Sequence, residues 1–337
     1  MATTPSSPDN HAPNETCGAV CGKCCQRRTS DLDALLATPG VRSSVIDTDV
    51  AGLTAQLPLL DQVVGVTVAG PVLMNDVGVH DRPELMGGPI RCRESRISLR
   101  LNPERLGRAL VTEPSVTVPP TLRLFDVDGN TAHATYLTEH SDRLAFEALS
   151  LTHGPSSDLC DGGDIDELMV DEVTRGATTL ADTLPAPEAD QVAQLDSVLA
   201  DGGAARLTAL PRFSDSGYAR IDARQAIAGI EHAALMSMPV TLATTAPGCI
   251  QMRHDMLGGA REHRGSMVVA SSGARAMINF NLISQCWVTW SQGVWGPTGS
   301  IELYDRAGHC SMIITQTGSV AGAAHEAWSY LMTDLTC

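Results

Sequence analysis

Residues 122–129, Leu-Arg-Leu-Phe-Asp-Val-Asp-Gly, are matched 179 residues later by residues 301–308, Ile-Glu-Leu-Tyr-Asp-Arg-Ala-Gly. Both segments end in an aromatic-Asp-x-x-Gly motif, which is typical of a strand that runs into a tight turn. The same offset superposes Arg100 on Asn279. It pairs two further sets of segments, 97–102 with 276–281 and 145–151 with 324–330. The sequence therefore predicts two copies of one structural unit.

Upstream of these segments the offset falls to 174, which pairs residues 66–69 with 240–243 and His80 with His254. Each copy is predicted to begin with a helix, continue through short strands and close with a helix. Strands that follow one another through short turns form antiparallel sheets. We therefore predict an α+β fold, a tandem structural repeat in which each copy is a large antiparallel sheet flanked by helices.

The chain has 337 residues, of which 43% are hydrophobic, and this composition is typical of a globular protein. Residues 1–29 are rich in Pro, Ser, Thr and Asn and lack apolar periodicity, so we expect a flexible cysteine-containing tail. The first repeat is placed at residues 30–175 and the second at residues 176–337. Apolar spacing predicts a helix over 189–200, ended by Gly-Gly, with another helix beginning near Ala204.

Charge and hydropathy exclude some classes of protein. The net charge is −16, which argues against a nucleic-acid partner because phosphate binding requires a basic surface. The longest apolar stretch, residues 63–74, contains Gly and Pro and is shorter than the roughly 20 residues of a membrane-spanning helix. The N-terminal residues lack the basic and apolar regions of a secretory signal, so we expect a cytoplasmic protein.

A cysteine cluster, Cys17, Cys21 and Cys24, has the spacing of radical-SAM iron–sulfur sites and is also compatible with zinc. No second pair of ligands follows at zinc-finger distance, so a redox-sensitive tail without metal is the alternative. The sequence contains no phosphate-binding loop, dinucleotide fingerprint, zinc-protease motif or nucleophile elbow. No catalytic residue is therefore predicted.

Several histidines and one arginine are candidates for a binding site. His80 and His254 each precede an aspartate, and both structural roles and ligation remain open for them. His133 follows the first Asp-x-x-Gly turn. Arg100 lies within an apolar strand, where an unpaired buried charge costs several kcal/mol. It therefore requires either an acidic partner or an anionic ligand.

The sequence resembles the HemS/ChuS-type family of tandem-repeat haemin-utilisation proteins over roughly residues 40–337. Four segments of the first half carry the resemblance: 75–81 (Asn-Asp-Val-Gly-Val-His-Asp), 97–100 (Ile-Ser-Leu-Arg), 124–137 and 141–146. Four segments of the second half follow in the family's order: 206–210, 248–251, 287–288 and 302–308. The duplication itself is a trait of this family.

The resemblance implies a cytoplasmic protein that receives haem b from a haem ABC transporter and passes it to a haem oxygenase for degradation. There are two alternatives to this carrier. One is a haemin-degrading enzyme, with haem as both cofactor and substrate, and the other is a diverged homologue that no longer binds haem. The implied fold is two stacked repeats, with haem in a cleft between a helix of the second copy and the sheet of the first.

The resemblance also implies a set of binding residues. Arg100 matches the arginine that faces the iron, and Arg206 matches a basic residue on the helical segment. The family's ligand histidine falls at Ala193, and alanine cannot bind iron. The family's lysine, tyrosine and arginine are replaced at Ser291, Thr315 and Gly318. The remaining candidates for the iron ligand are other histidines: His80, His133, His153 and His254.

Overall fold

The computed structural model describes residues 29–46, 49–93, 95–115, 118–151 and 186–337. These residues contain seven α-helices: α1 (Asp31–Leu36), α2 (Val50–Thr54), α3 (Arg143–Leu151), α4 (Ala186–Asp201), α5 (Ala204–Ala209), α6 (Ala223–Leu235) and α7 (Gly322–Asp334). Short 3-10 helices span Leu57–Leu60, Pro103–Arg105, Leu210–Ser216 and Phe280–Leu282. The predicted metal ligands Cys17, Cys21 and Cys24, the candidate His153 and the predicted boundary between the repeats lie outside the described residues.

Among the described residues, eight strands belong to the first repeat: β1 (Ser43–Ile46), β2 (Asp61–Ala69), β3 (Val72–His80), β4 (Glu84–Leu85), β5 (Arg96–Leu101), β6 (Leu106–Thr112), β7 (Thr121–Asp126) and β8 (Thr131–Ser141). Nine lie in the second: β9 (Ala219–Ile221), β10 (Pro239–Ala246), β11 (Cys249–Met256), β12 (Gly259–His263), β13 (Ser266–Ala270), β14 (Ala274–Ile278), β15 (Ile283–Gly293), β16 (Gly296–Asp305) and β17 (Cys310–Thr315).

The strands form two sheets joined through β5, and each sheet combines strands of both repeats. The first has the order β1-β6-β7-β8-β2-β3-β14-β13-β12. The second has the order β9-β15-β16-β17-β10-β11-β5-β4. Apart from the short parallel pairs β3–β5 and β4–β5, all strand pairs are antiparallel, as the sequence predicted. Exchange of strands makes each repeat part of the other repeat's sheet.

The pairing between repeats follows a pseudo-twofold axis. Val72 on β3 pairs with Ile278 on β14, and Cys249 on β11 pairs with Leu101 on β5. Adding 177 to the residue numbers of the first repeat converts one pair into the other. The two hairpins agree, since Ala69 pairs with Val72 and Ala246 pairs with Cys249. The repeats are therefore related by an offset of 177 in this region.

This offset corrects two details of the sequence alignment. Residue 80 is equivalent to Leu257, so His80 and His254 do not occupy matching positions. Asn102 and Asn279 are equivalent instead, because each side chain accepts a hydrogen bond from the backbone N–H two residues later, over 3.1 Å. Arg100 therefore does not superpose on Asn279. The hairpins and the asparagine hydrogen bonds thus establish which residues of the two repeats are equivalent, whereas local residue similarity alone does not.

The turns that reveal the duplication are confirmed. Oδ1 of Asp126 accepts hydrogen bonds from the N–H groups of Asp128 and Asn130, over 2.9 and 2.7 Å. Oδ1 of Asp305 accepts from the N–H groups two and four residues later, over 2.8 and 2.9 Å. Here the offset is 179, since the second repeat is two residues longer than the first between Asn279 and this turn.

The helices that open the second repeat are also confirmed. α4 contains the predicted segment and ends at Gly202 and Gly203, whose φ angles of 75° and 82° lie in the left-handed region that favours glycine. α5 begins at Ala204, as predicted. The apolar side chains of α4, Leu195, Val198 and Leu199, are buried against the second sheet. No helix in the described part of the chain is long and apolar enough to span a membrane.

Candidate ligand-binding cleft

Arg100 is fully buried on β5, and its partner is Asp196 on α4. Nε and Nη2 donate to the two carboxylate oxygens of Asp196 over 2.6 and 2.8 Å, and Nη1 donates to the carbonyl of Pro89 over 3.2 Å. The backbone N–H of Gly87 also donates to Asp196, over 2.9 Å. Of the two possibilities left open by the sequence, the acidic partner is therefore present. The ion pair fastens the helix of the second repeat to a strand of the first.

Arg206 has an acidic partner as well, Glu302 on β16. Nε and Nη2 of Arg206 donate to the two carboxylate oxygens over 2.9 and 2.6 Å. The hydroxyls of Thr289 and Tyr304 donate to the same carboxylate over 2.6 and 2.7 Å. Burial alone raises the pKa of Glu302, but Arg206 and these hydrogen bonds outweigh it, so the pKa lies below its usual value. Glu302 is therefore a buried carboxylate that stays ionised.

Gln194 closes the space between α4 and the second sheet. Its Nε2 donates to Glu302 over 2.8 Å, and its Oε1 accepts from the hydroxyl of Ser291 over 3.0 Å. The preceding residue, Ala193, is exposed. The position that the resemblance assigns to haem therefore offers no iron ligand at Ala193, and both of its arginines are bound to carboxylates. These residues do not fit haem as they are arranged.

His80 and His133 are brought together between the strands of the first sheet. Their rings meet edge to face with centroids 5.5 Å apart, and both are buried. Each ring contacts a threonine: Nε2 of His80 lies 3.1 Å from Thr135 Oγ1, and Nδ1 of His133 lies 2.9 Å from Thr67 Oγ1. Burial lowers the pKa of His80 to about 3 and lowers the pKa of His133 well below its usual value. Both imidazoles are therefore neutral side chains of the core.

His254 lies apart from this pair, half-buried on β11, with Nδ1 3.0 Å from Thr241 Oγ1. Within the described residues, no group of three or more His, Cys, Asp or Glu side chains is placed to hold a metal ion. The five residues predicted to bind haem thus occupy four separate places: two ion pairs, one buried imidazole pair and one strand position.

A cleft of about 760 Å³ lies elsewhere, between the sheet of the first repeat and the end of α4. Strands β2, β7 and β8 supply its floor, Val198 and Leu199 of α4 supply one wall, and the 247–248 turn and residues 309–311 complete the rim. Its volume lies within the range of about 300–1,000 Å³ that is typical of small-molecule sites. None of the five predicted haem-binding residues is among its described lining residues.

Arg123 and Tyr136 are the largest side chains on the floor of this cleft. The guanidinium carbon of Arg123 lies 5.9 Å from the centroid of the Tyr136 ring, a cation–π arrangement. Nε of Arg123 is buried and has no hydrogen-bond partner among the described residues. Sequence reasoning missed both residues, although Arg123 lies in the segment that reveals the repeat. A charged residue that alternates with buried leucines was the available signal.

The carboxylates around the cleft are mostly engaged in turns. Asp126 and Asp305 cap the two equivalent turns, and Asp201 accepts from the N–H groups of Gly203 and Ala205 over 2.8 and 2.9 Å. Arg123 forms no ion pair with any described residue, and the same holds for Arg105 at the rim. Asp31 accepts from the N–H of Thr131 over 3.0 Å, and Asp128 completes the set of five aspartates that line the cleft with Arg105 and Arg123. An anion therefore has one favourable position on the apolar part of the floor, next to the Arg123 guanidinium.

Comparison with known proteins shows the fold. No protein-family model and no curated protein matches the sequence. Among solved structures, holo-PhuS, a haem-binding protein from Pseudomonas aeruginosa, is similar with a TM-score of 0.65 and 15% identity, over 87% of this chain and 86% of that chain. ChuS, an Escherichia coli haem oxygenase, gives a TM-score of 0.66 and 15% identity, over 88% and 89%. At such identities the similarity establishes the α+β, two-repeat fold.

Proposed function

We propose that this protein is a cytoplasmic haem-binding protein that carries haem b and releases it to a degrading enzyme. The observation that carries the proposal is the cleft of about 760 Å³ between α4 of the second repeat and the sheet of the first. The family resemblance also assigns haem to a cleft between a helix of the second repeat and the sheet of the first, but next to Arg100 and Ala193, which do not line this cleft. The fold shared with haem-binding PhuS adds support.

Carriage is favoured over degradation by the side chains around the cleft. Oxidative attack on haem begins from an iron that a proximal ligand holds. The one imidazole among the described lining residues, His309, is 59% exposed on a turn with its Nδ1 3.8 Å from Asp305 Oδ2, so it offers iron only a solvent-exposed ligand. Haem held through its carboxylates and its apolar face exchanges more readily than haem held by iron coordination, which suits delivery. Degradation remains the alternative, because ChuS, which shares the fold, is a haem oxygenase.

An absorption titration of the full chain with haemin, followed by ascorbate under oxygen, tests the proposal. A carrier gives a saturable Soret change and a complex that survives reduction. Loss of the Soret band after ascorbate, with formation of a bile pigment, would instead identify a degrading enzyme. Spectra that equal the sum of protein and free haemin would contradict haem binding altogether.

The roles that the resemblance gives to Arg100 and Arg206 stay predictions. A haem propionate at Arg100 must displace Asp196, and one at Arg206 must displace Glu302. Haem transport into the cell by an ABC transporter and transfer to a haem oxygenase are the partner reactions that this proposal requires.

A further inference from the structure

We infer that the haem propionate is bound by Arg123 in the cleft of the first repeat, and that the corresponding site in the second repeat is closed. The inference rests on the proposed function, and it specifies where the ligand lies and which side chain recognises its carboxylate. It places the ligand on strands β2, β7 and β8, apart from Arg100 and Ala193.

The first step is the equivalence of Arg123 and Glu302. The matching turns at Asp126 and Asp305 give an offset of 179, which converts position 123 into position 302. In the second repeat, the carboxylate at this position is bound by the guanidinium of Arg206. In the first repeat, the position carries the guanidinium, and no described residue supplies a carboxylate. The ligand supplies the missing half of the pair.

The second step is the state of the sheet around each position. In the second repeat, α4 lies on the sheet and buries Ala243 and Ile313 completely. The equivalent residues of the first repeat, Val66 and Ala134, line the cleft instead, with Val66 half-buried and Ala134 4% exposed. Val68, next to them on the floor, is 49% exposed. Among the described residues, the second repeat therefore covers this face with α4, whereas in the first repeat α1 packs only on Leu110 and Phe125. The part at Val66 and Val68 is left as an apolar surface that suits a porphyrin face.

The third step is the unpaired guanidinium of Arg123. Nε is buried without a described partner, and neither terminal nitrogen, Nη1 or Nη2, forms a hydrogen bond with a described residue, although guanidinium groups form paired bonds with carboxylates. The Tyr136 ring limits the positions open to the guanidinium. The neighbouring aspartates direct oxygens into their own turns. A flat apolar ligand that bears a carboxylate satisfies both the floor and the guanidinium, and haem is such a ligand.

Haemin titrations of the full chain and of Arg123→Ala test the inference. We expect Arg123→Ala to raise the dissociation constant for haemin about tenfold, which corresponds to a loss of about 1.4 kcal/mol of binding free energy. Arg108→Ala is the matched control, because Arg108 is exposed on the neighbouring strand β6 and lies outside the cleft. The control is expected to bind haemin as the wild type does.

A second pair of variants guards against a folding defect at position 123. Val68→Glu places a carboxylate on the exposed floor and is expected to weaken haemin binding at least tenfold, whereas Val45→Glu, at a valine that is 45% exposed outside the cleft, leaves it unchanged. If the wild type binds haemin and all four variants bind equally well, the inference is wrong and the proposed function stands. If the wild type itself does not bind haemin, both fall.

Discussion

Asp76 and Arg253 lie on the pseudo-twofold axis of the molecule and form an ion pair with each other. The offset of 177 makes them equivalent residues of the two repeats, and Nη1 of Arg253 donates to Asp76 Oδ1 over 3.0 Å. Arg253 also donates to Asp255 and Ser272, over 3.1 and 2.9 Å. Identical repeats would place like charges here, whereas the opposite charges of Asp76 and Arg253 attract each other.

The first prediction concerns the pH dependence of stability at Asp76. Burial raises the pKa of this carboxyl from 3.8 to about 6, despite the nearby Arg253. The folded state then holds a proton that the unfolded state has released, so stability falls as pH rises from about 4 to 6. Relative to that of Asp76→Asn, the free energy of unfolding of the wild type should fall by up to about 3 kcal/mol over this pH range. Urea denaturation across the range measures the difference, and a flat or rising difference would contradict it.

The second prediction concerns Arg206. Arg206→Ala leaves Glu302 buried without its cation, which costs about 3–5 kcal/mol for a broken buried pair. Arg212→Ala is the control, since Arg212 is exposed in the adjoining 3-10 helix and is expected to change stability by no more than about 0.5 kcal/mol. Chemical denaturation measures both. Equal stability of the two variants would mean that the Arg206–Glu302 pair does not hold α5 on the sheet.

The third prediction concerns Arg100 and Asp196. Asp196→Ala leaves the buried guanidinium of Arg100 without its carboxylate partner and should destabilise the protein by about 3–5 kcal/mol. Glu326→Ala, on the exposed side of α7, should not destabilise it. Adding Arg100→Met to Asp196→Ala removes the unpaired charge of the guanidinium and should recover part of the lost stability. A double variant that is less stable than Asp196→Ala alone would show that Asp196 is not the main partner of Arg100.

The fourth prediction concerns the buried imidazoles. Because burial lowers the pKa values of His80 and His133, both rings should remain neutral at pH 5. The unfolded chain takes up protons near pH 6.5, so this contribution to stability is present above that pH and is lost as the pH falls. Imidazole NMR signals that stay constant between pH 7.5 and 5 are expected. Titration of either ring with a midpoint near 6.5 would contradict the burial.

Sequence reasoning reached the fold because the duplication leaves local signals. The turns at Asp126 and Asp305 require the same residues for the same backbone hydrogen bonds, and the glycines after α4 mark its end. The predicted alignment of the two repeats was wrong before these turns, where the true offset is 177. Short apolar segments match at several offsets, and only the geometry of the hairpins shows which offset is correct. The strands exchanged between sheets leave no comparable mark in the sequence.

The candidate site was less accessible to the sequence. Arg100 required a partner on chemical grounds, but Asp196 is 96 residues away and only the packing of α4 brings it near. The importance of Arg123 depends on what is absent around it, namely a covering helix and a carboxylate partner among the described residues. Such an absence becomes visible only when equivalent positions of the two repeats are compared in space.

A crystal structure of the haemin complex, with the iron located by its anomalous scattering, shows directly where the ligand lies. We expect one iron in the cleft between Val66 and Leu199, with a propionate at Arg123 and with the Arg100–Asp196 ion pair intact. Iron between Ala193 and Arg100, with Asp196 displaced, would contradict this binding site and return the ligand to the position that the family resemblance assigns.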